Sequence, residues 1–160
     1  MCDAVQALVI GAGPAGLMAA EELARAGHAV VICEAKPSPA RKFLMAGKSG
    51  LNVTKDQPPA AFAAAYDSDW LSPMLAEFGP AAVAEWCRGL GQEVFTGSSG
   101  RVFPVAMKGS PLLRAWLARL QALGVTLRCR WRWQGFDGGN FRFDTPEGPR
   151  LVSPKVTVLA

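Results

Sequence analysis

The sequence of 160 residues predicts an α/β domain in which a parallel sheet carries a helical insertion and a small antiparallel β-meander. An apolar strand, a glycine-rich turn, a helix and a second apolar strand follow one another within residues 1–34. Helical periodicity dominates the middle of the chain, and alternation of apolar and polar residues dominates its last third. We therefore interpret residues 1–160 as one domain, with a helical excursion at about 57–92 and a meander at about 130–152.

The composition excludes several classes of protein. Half of the residues are apolar and 19% are charged, which is typical of a folded domain and not of a disordered chain. The four cysteines lie far apart without a C-x-x-C pair, so we predict neither a disulfide scaffold nor a metal site. A single histidine, His28, leaves no material for a catalytic triad. We expect any demanding chemistry to come from a cofactor.

The charge is distributed unevenly along the chain. Residues 1–100 hold 7 basic and 10 acidic side chains, whereas residues 101–160 hold 10 basic and 3 acidic ones. This balance is compatible with nucleic acid, an anionic substrate or an acidic partner surface. The longest apolar stretch falls short of the roughly 20 residues that a bilayer span needs, and the first basic residue is Arg25. We expect a soluble, cytoplasmic protein that does not act at a membrane.

The first 34 residues read as a βαβ unit. The run Ala7–Ile10 is typical of a buried parallel strand, and residues 15–26 carry apolar side chains at helical spacing. Gly27 stands where a helix C-terminal cap is expected. A second apolar run, residues 29–33, ends at Glu34. Such a connection is almost always right-handed and joins parallel strands.

Residues 11–16 form a G-x-G-x-x-G motif between the predicted strand and helix, and Glu34 supplies an acid after the second strand. Gly11 permits the tight turn, Gly13 lets the backbone approach a pyrophosphate, and Gly16 lets the helix pack close to the strand. Glu34 would accept hydrogen bonds from an unphosphorylated ribose. The motif predicts a dinucleotide site, and a glycine-rich turn without a ligand is the alternative.

Periodicity disappears between residues 37 and 54, where we predict a long functional loop. Arg41, Lys42 and Lys48 place positive charge there, suited to a diphosphate or a ring carbonyl. A solvated basic loop is the alternative explanation. Helices are predicted to begin at Pro58, at Ser72 acting as an N-cap, at Pro80 after Gly79, and at Ser110 before Pro111.

The last part of the chain alternates apolar and polar residues. Residues 125–134 predict one strand or two joined by a bend, with Trp131 and Trp133 pointing away from the neighbouring arginines. That separation argues against nucleic-acid binding. Residues 155–160 look like a strand buried on both faces, which a covering helix would normally follow. We expect the chain to be the N-terminal portion of a longer protein.

Three motifs together resemble the BaiN-type (YhiN-type) family of FAD-dependent, NAD(P)-linked oxidoreductases, in particular its shorter branch. They are residues 11–16 with Glu34, residues 41–54 (RKFLMAGKSGLNVT), and residues 97–116 (GSSGRVFPVAMKGSPLLRAW). The resemblance implies a Rossmann-like FAD-binding domain of the two-dinucleotide-binding-domain flavoprotein type. It also implies that NAD(P)H binds transiently as the electron donor to the flavin and that a small organic molecule is the acceptor.

The resemblance further implies which residues contact the cofactor: Gly11, Gly13, Pro14, Ala15, Gly16, Glu34, Ala35, Lys36, Arg41, Lys42, Gly47 and Asn52. Arg101 and Lys108 would lie toward the flavin or the substrate, and Ala40 stands where many relatives have glycine. The rest of a parent polypeptide would complete the site. The alternatives are a nucleotide-binding module without turnover and a plain NAD-dependent dehydrogenase.

Overall fold

The computed structural model describes residues 2–160, which form two compact units. The first unit comprises the chain up to Phe43 and from Leu117 to Ala160, and the second comprises Leu44–Trp116. The strands are β1 (Cys2–Ile10), β2 (Val30–Glu34), β3 (Thr54–Lys55), β4 (Val94–Thr96), β5 (Arg101–Pro104), β6 (Thr126–Cys129), β7 (Arg132–Asp137), β8 (Asn140–Thr145) and β9 (Gly148–Leu159). The α-helices are α1 (Pro14–Arg25), α2 (Arg41–Ala46), α3 (Pro59–Ala63), α4 (Ser72–Glu77), α5 (Pro80–Gly89) and α6 (Gly109–Ala122), with a 3₁₀ turn at Asp69–Leu71.

The first unit is built on a six-stranded sheet of order β6-β2-β1-β9-β8-β7. β6, β2, β1 and β9 run parallel, and β8 and β7 continue the sheet in antiparallel fashion. The register places Ala7 opposite Val30 on β2 and opposite Val156 on β9. The α/β class and the parallel βαβ unit predicted from the sequence are confirmed.

Each face of this sheet is covered by a different element. Leu8 and Cys33 pack against Phe143 of β8 and Val152 of β9, so the meander covers one face. On the other face Leu17 of α1 is fully buried, and the α1 backbone approaches Val9 closely at Gly16. Alternation along β1 and β2 sends consecutive side chains to these two faces. The apolar runs of the first 34 residues therefore form the centre of the core.

The alternating segment at 125–134 forms two strands at opposite edges of the sheet. Arg130 adopts a left-handed φ of 61° between them, and its amide donates to the Lys36 carbonyl. Because the chain bends there, strand alternation does not continue across it. The guanidinium carbon of Arg128 lies 4.5 Å from the centroid of the Trp131 ring. The expectation that the tryptophans point away from the arginines is therefore wrong for this pair.

The expectation of a final strand buried on both faces is also wrong. Val156 is 51% exposed and Leu159 is 62% exposed. β8 pairs with β9 only from Gly148 to Val152. Beyond that point, within the described residues, β9 forms its ladder with β1 alone, so the apolar side chains near its end have fewer neighbours.

The second unit combines a three-stranded antiparallel sheet, of order β3-β5-β4, with α3, the 3₁₀ turn, α4 and α5. Trp86 of α5 and Trp116 of α6 meet edge to face, with ring centroids 4.7 Å apart. Trp116 and Cys87 are both buried. The helical excursion expected at about 57–92 falls within this unit, whereas the single-domain interpretation stays a prediction.

Local details of the middle region differ from the sequence-based expectation. The loop predicted from residue 37 to 54 contains α2, so Arg41 and Lys42 lie on a short helix. Ser72 is the first residue of α4, and the cap position is Leu71, which makes no side-chain capping bond. The start of α5 after Gly79 is confirmed, since Gly79 caps it in an extended conformation. Short helices such as α2 carry too few turns to show periodicity.

Candidate functional site

The turn between β1 and α1 is shaped by two close approaches of backbone to backbone. Gly11 has a φ of 106°, and a Cβ there would collide with the carbonyl oxygen of Ala160. A Cβ at Gly16 would collide with the carbonyl oxygen of Gly11. Only glycine fits these two positions, which confirms the tight turn and the close helix packing predicted from the motif.

Gly13 differs from these two glycines. A Cβ built on Gly13 meets no atom within 4 Å, so the space beside this residue is open. Gly13 is also the N-cap of α1, makes no side-chain capping bond, and is followed by a first turn without acidic residues. No side chain caps the start of this twelve-residue helix, and a helix N-terminus favours an anion.

The carboxylate of Glu34 joins two segments of backbone. The Ala12 amide donates to Oε2 at 2.9 Å, and the Lys36 amide donates to Oε1 at 2.8 Å. The Ala12 carbonyl in turn accepts from the Ala40 amide at 2.7 Å. The peptide groups on both sides of Ala12 are thus fixed by residues more than 20 positions away. A carboxylate has about four lone-pair directions, so Glu34 retains acceptor capacity.

The glycine-rich turn and Glu34 border one cavity of about 620 Å³ within the first unit, a volume in the range of small-molecule sites. Eight of the residues predicted to contact a cofactor line it: Gly11, Gly13, Pro14, Ala15, Glu34, Lys36, Arg41 and Lys42. Three cationic side chains, on Lys36, Arg41 and Lys42, thus stand around a single acidic one.

Four other predicted residues do not line this cavity. Gly16 lies beneath the turn against Gly11, and Ala35 is absent from the lining. Gly47 and Asn52 belong to the second unit, as do Arg101 and Lys108. There the backbone of Gly47 approaches Gly109 so closely that a Cβ would lie 2.9 Å from the Gly109 nitrogen. Gly47 therefore has a packing role inside its own unit.

The prediction omitted three residues that line the cavity, namely Ser38, Ala40 and Ala160. Ser38 accepts a hydrogen bond from the Arg41 guanidinium at 3.2 Å. Ala40 is 3% exposed and has a φ of 52°, which favours glycine. A signal for Ala40 existed in the sequence, because the related motif often has glycine at this position.

Neither buried thiol is suited to act as a nucleophile. Burial raises the pKa of the Cys33 thiol to about 12, although the nearby Arg128 acts in the opposite direction. Burial likewise raises the pKa of Cys87 to about 11. The thiolate is the reactive form of cysteine, so both groups are inert near neutral pH. Cys33 is therefore a small buried core residue.

The parallel sheet, the glycine turn and the acid at the end of β2 define a Rossmann-type domain. A family profile described as "HI0933-like protein Rossmann domain" matches residues 5–160. The chain belongs to this family, which confirms the resemblance found in its motifs. No curated protein sequence matches the chain.

Solved structures share the fold at low sequence identity. The chain is similar to THI4 from Thermovibrio ammonificans, at 16% identity and a TM-score of 0.60, over 98% of this chain and 57% of that one. It is also similar to a flavocytochrome c3 fumarate reductase, at 18% identity and a TM-score of 0.59, over 98% and 33%. A third similar structure is a 3-ketosteroid-Δ4-(5α)-dehydrogenase from Rhodococcus jostii RHA1, at 18% identity and a TM-score of 0.58, over 98% of this chain and 45% of that one. The chain therefore spans between a third and about three fifths of these structures.

None of the helices within residues 2–160 has the length and apolar character needed to cross a membrane. The same residues contain no group of three or more histidine, cysteine, aspartate or glutamate side chains arranged to hold a metal ion.

Proposed function

We propose that the chain forms the FAD-binding part of a flavoprotein oxidoreductase. The observation that carries this proposal is the open space beside Gly13, at an uncapped helix start, within a cavity that Glu34 and three cations border. A diphosphate needs close backbone approach and amide donors, and a ribose needs a carboxylate at the end of the second strand. The residues present therefore fit FAD.

The cofactor would be held by backbone and side chains together. The amides at the start of α1 bind the diphosphate, and Glu34 accepts hydrogen bonds from the adenosine ribose while it keeps the Ala12 and Lys36 amides in place. Arg41 and Lys42 add positive charge toward the phosphates. When bound, the flavin supplies the capacity to accept and pass on a hydride.

The proposed activity is reduction of a small organic molecule with electrons from NAD(P)H. Among the similar structures, the fumarate reductase is named a flavocytochrome and the ketosteroid enzyme a dehydrogenase, and both names describe redox enzymes. The family resemblance supports NAD(P)H as a transient donor. We propose a cytoplasmic protein that acts on a small molecule and has neither nucleic acid nor a membrane as its partner.

The first experiment measures which nucleotide binds. FAD, FMN and NAD are titrated separately against the purified chain, with fluorescence quenching as the readout. We expect FAD to bind most tightly and the Gly13→Val variant to lose at least about 100-fold in affinity, because its side chain fills the space required by the diphosphate. The melting temperature of this variant should stay near that of the wild type. Tighter binding of NAD would favour a nicotinamide-dependent dehydrogenase instead.

The ribose contact is tested with a matched pair of variants. Glu34→Gln removes the charge that accepts the ribose hydroxyls, and we expect FAD affinity to fall about 10-fold. Glu147→Gln changes an exposed acid on the meander and serves as the control, with unchanged affinity. Equal affinities for the two variants would contradict the assigned role of Glu34.

The second experiment concerns turnover. The FAD-loaded chain is mixed with NADH or NADPH in a stopped-flow instrument. Loss of the yellow absorbance of oxidised flavin reports its reduction. Bleaching with either donor supports the oxidoreductase. A chain that binds FAD and is never bleached would favour a nucleotide-binding module without turnover.

A further inference from the structure

The second unit carries an unusually acidic stretch of sequence. Residues 57–87 contain no lysine or arginine and four acidic residues, namely Asp67, Asp69, Glu77 and Glu85. Three of these, Asp67, Asp69 and Glu77, are exposed around the 3₁₀ turn and α4. The chain as a whole has a net charge of +4, so this stretch is of opposite sign to the molecule that carries it.

Large apolar side chains are exposed on the same short segment. Trp70 is 66% exposed, Met74 is 51% exposed and Phe78 is 42% exposed. Trp70 lies in the 3₁₀ turn, Met74 in α4, and Phe78 directly after α4, where its amide donates to the Met74 carbonyl. A spacing of four residues brings neighbours to the same side of a helix. At about 1.5 Å per residue the row is roughly 12 Å long. We call these three residues, with Asp67, Asp69 and Glu77, the acidic stripe.

Single exposed apolar residues are ordinary on protein surfaces, whereas several large ones exposed on one short segment beside charged residues are typical of an interaction site. The charges restrict what can cover it. A second acidic stripe would be repelled by like charges, and so would a membrane rich in anionic lipids. A cationic surface with its own apolar row satisfies both the exposed rings and the carboxylates.

We propose that the acidic stripe is the docking site for a positively charged amphipathic helix of a partner protein. The apolar row of that helix packs against Trp70, Met74 and Phe78, and its lysines or arginines lie beside Asp67, Asp69 and Glu77. Apolar contact provides the affinity, and the charges provide the rate of association and the discrimination against other helices.

The test uses two synthetic peptides of about 18 residues with leucines at the same helical spacing. In one peptide the remaining positions are lysine and in the other they are glutamate. Binding of each labelled peptide to the complete chain is followed by fluorescence anisotropy at low and at high salt. We expect binding of the lysine peptide, weakened by salt, and at least about 10-fold weaker binding of the glutamate peptide.

Two variants separate apolar contact from charge. Trp70→Ser combined with Phe78→Ser should weaken the lysine peptide at least about 10-fold, with little change in its salt dependence. Asp67→Asn, Asp69→Asn and Glu77→Gln together should weaken it at low salt and remove most of the salt dependence. Phe136→Ser is the matched control, since Phe136 is likewise 66% exposed but lies on the meander.

Each possible outcome either supports or overturns the proposed docking site. Loss of binding in the stripe variants with none in the control supports the proposal, provided that circular dichroism shows them folded. Equal binding of both peptides, or equal loss in the Phe136 control, overturns it. Trp70-dependent dimerisation in light scattering overturns it as well, because a second copy would then occupy the stripe. None of these results depends on whether FAD binds.

Discussion

The βαβ segment of the first unit and the helical segment of the second unit differ in how far their apolar residues are buried. From Cys2 to Glu34 the apolar runs are buried, and backbone approaches backbone so closely that only glycine fits twice. From Pro59 to Gly89 the helices contain one buried residue, Cys87, and expose several large apolar side chains. The residues of the first segment are therefore constrained mainly by packing in the core, whereas many residues of the second segment lie on the surface and have no such constraint.

The difference affects what each segment can do. Positions in the βαβ segment are fixed within the packed core, so its turn can present backbone amides and one carboxylate in defined geometry. The helical segment presents exposed side chains whose conformations are not held by packing unless a partner binds over them. Substitutions should therefore have large effects on stability in the first segment and larger effects on interactions in the second.

The largest expected effect is that of Gly16→Ala. The new methyl group would overlap the carbonyl oxygen of Gly11 and press on a methyl of Val9, and neither backbone can move without disturbing the core. We expect the free energy of unfolding to fall by at least about 3 kcal/mol, measured by urea denaturation. Gly13→Ala is the control, because its methyl group meets open space and its φ is −76°. A loss below about 1 kcal/mol in Gly16→Ala would show that the helix can shift away from the strand.

The next effect is on the pH dependence of stability, where the two segments should behave alike because each holds one fully buried thiol. Burial raises the pKa of Cys33 from 9.0 to about 12 and that of Cys87 to about 11. Above pH 9 the unfolded chain loses these protons while the folded chain retains them, so stability is present below pH 9 and is lost as pH rises. Each thiol should remove about 2 kcal/mol between pH 9 and pH 11.

Variants isolate this contribution from other groups that titrate at high pH. Cys33→Ala and Cys87→Ala should each flatten the decline of the unfolding free energy over this interval, whatever their stability at pH 7. Cys2→Ala should leave the decline unchanged, since that thiol is exposed. A decline that is the same in all three variants would mean that the buried thiols do not control it.

The contrast between the segments also explains which features could be predicted. Gly11, Gly16 and Glu34 were predictable because strand, turn and helix signals coincide there and each has a geometric reason. The strands β3 and β5 were missed, since one has two residues and the other, Arg101–Pro104, ends in a proline. The exposure of Trp70 could not be predicted, because apolar spacing alone does not show whether a face is covered.

Within the site, the limits of prediction have a similar origin. The positive charge of Arg41 and Lys42 at the cavity was predictable from their position after the acid of β2, whereas Lys36 came only from the resemblance. The amides that Glu34 holds could not be foreseen, because they depend on how the chain from Ala35 to Ala40 folds back toward Ala12. Gly47 and Asn52 came only from the resemblance, and their roles toward a cofactor stay predictions.

The smallest expected effect concerns Ala40, a buried residue that also lines the cavity. Ala40 is buried at the cavity with a φ of 52°, and its amide holds the Ala12 carbonyl at 2.7 Å. A left-handed conformation costs a non-glycine residue roughly 1–2 kcal/mol, which Ala40→Gly would relieve. Glycine also gains about 0.4–1 kcal/mol of conformational entropy in the unfolded chain, which opposes the gain.

The balance predicts that Ala40→Gly raises the free energy of unfolding by about 0.5–1 kcal/mol, measured by urea denaturation. Ala40→Val should lower it, because a β-branched side chain tolerates positive φ poorly. Met107, with a φ of 57° in the second unit, offers the comparison: Met107→Gly relieves the same strain but also removes a large side chain that is 39% exposed. If Ala40→Gly were instead destabilising, the unfolded chain would gain more from glycine than the folded turn does, and backbone strain at the cavity would be smaller than its φ implies.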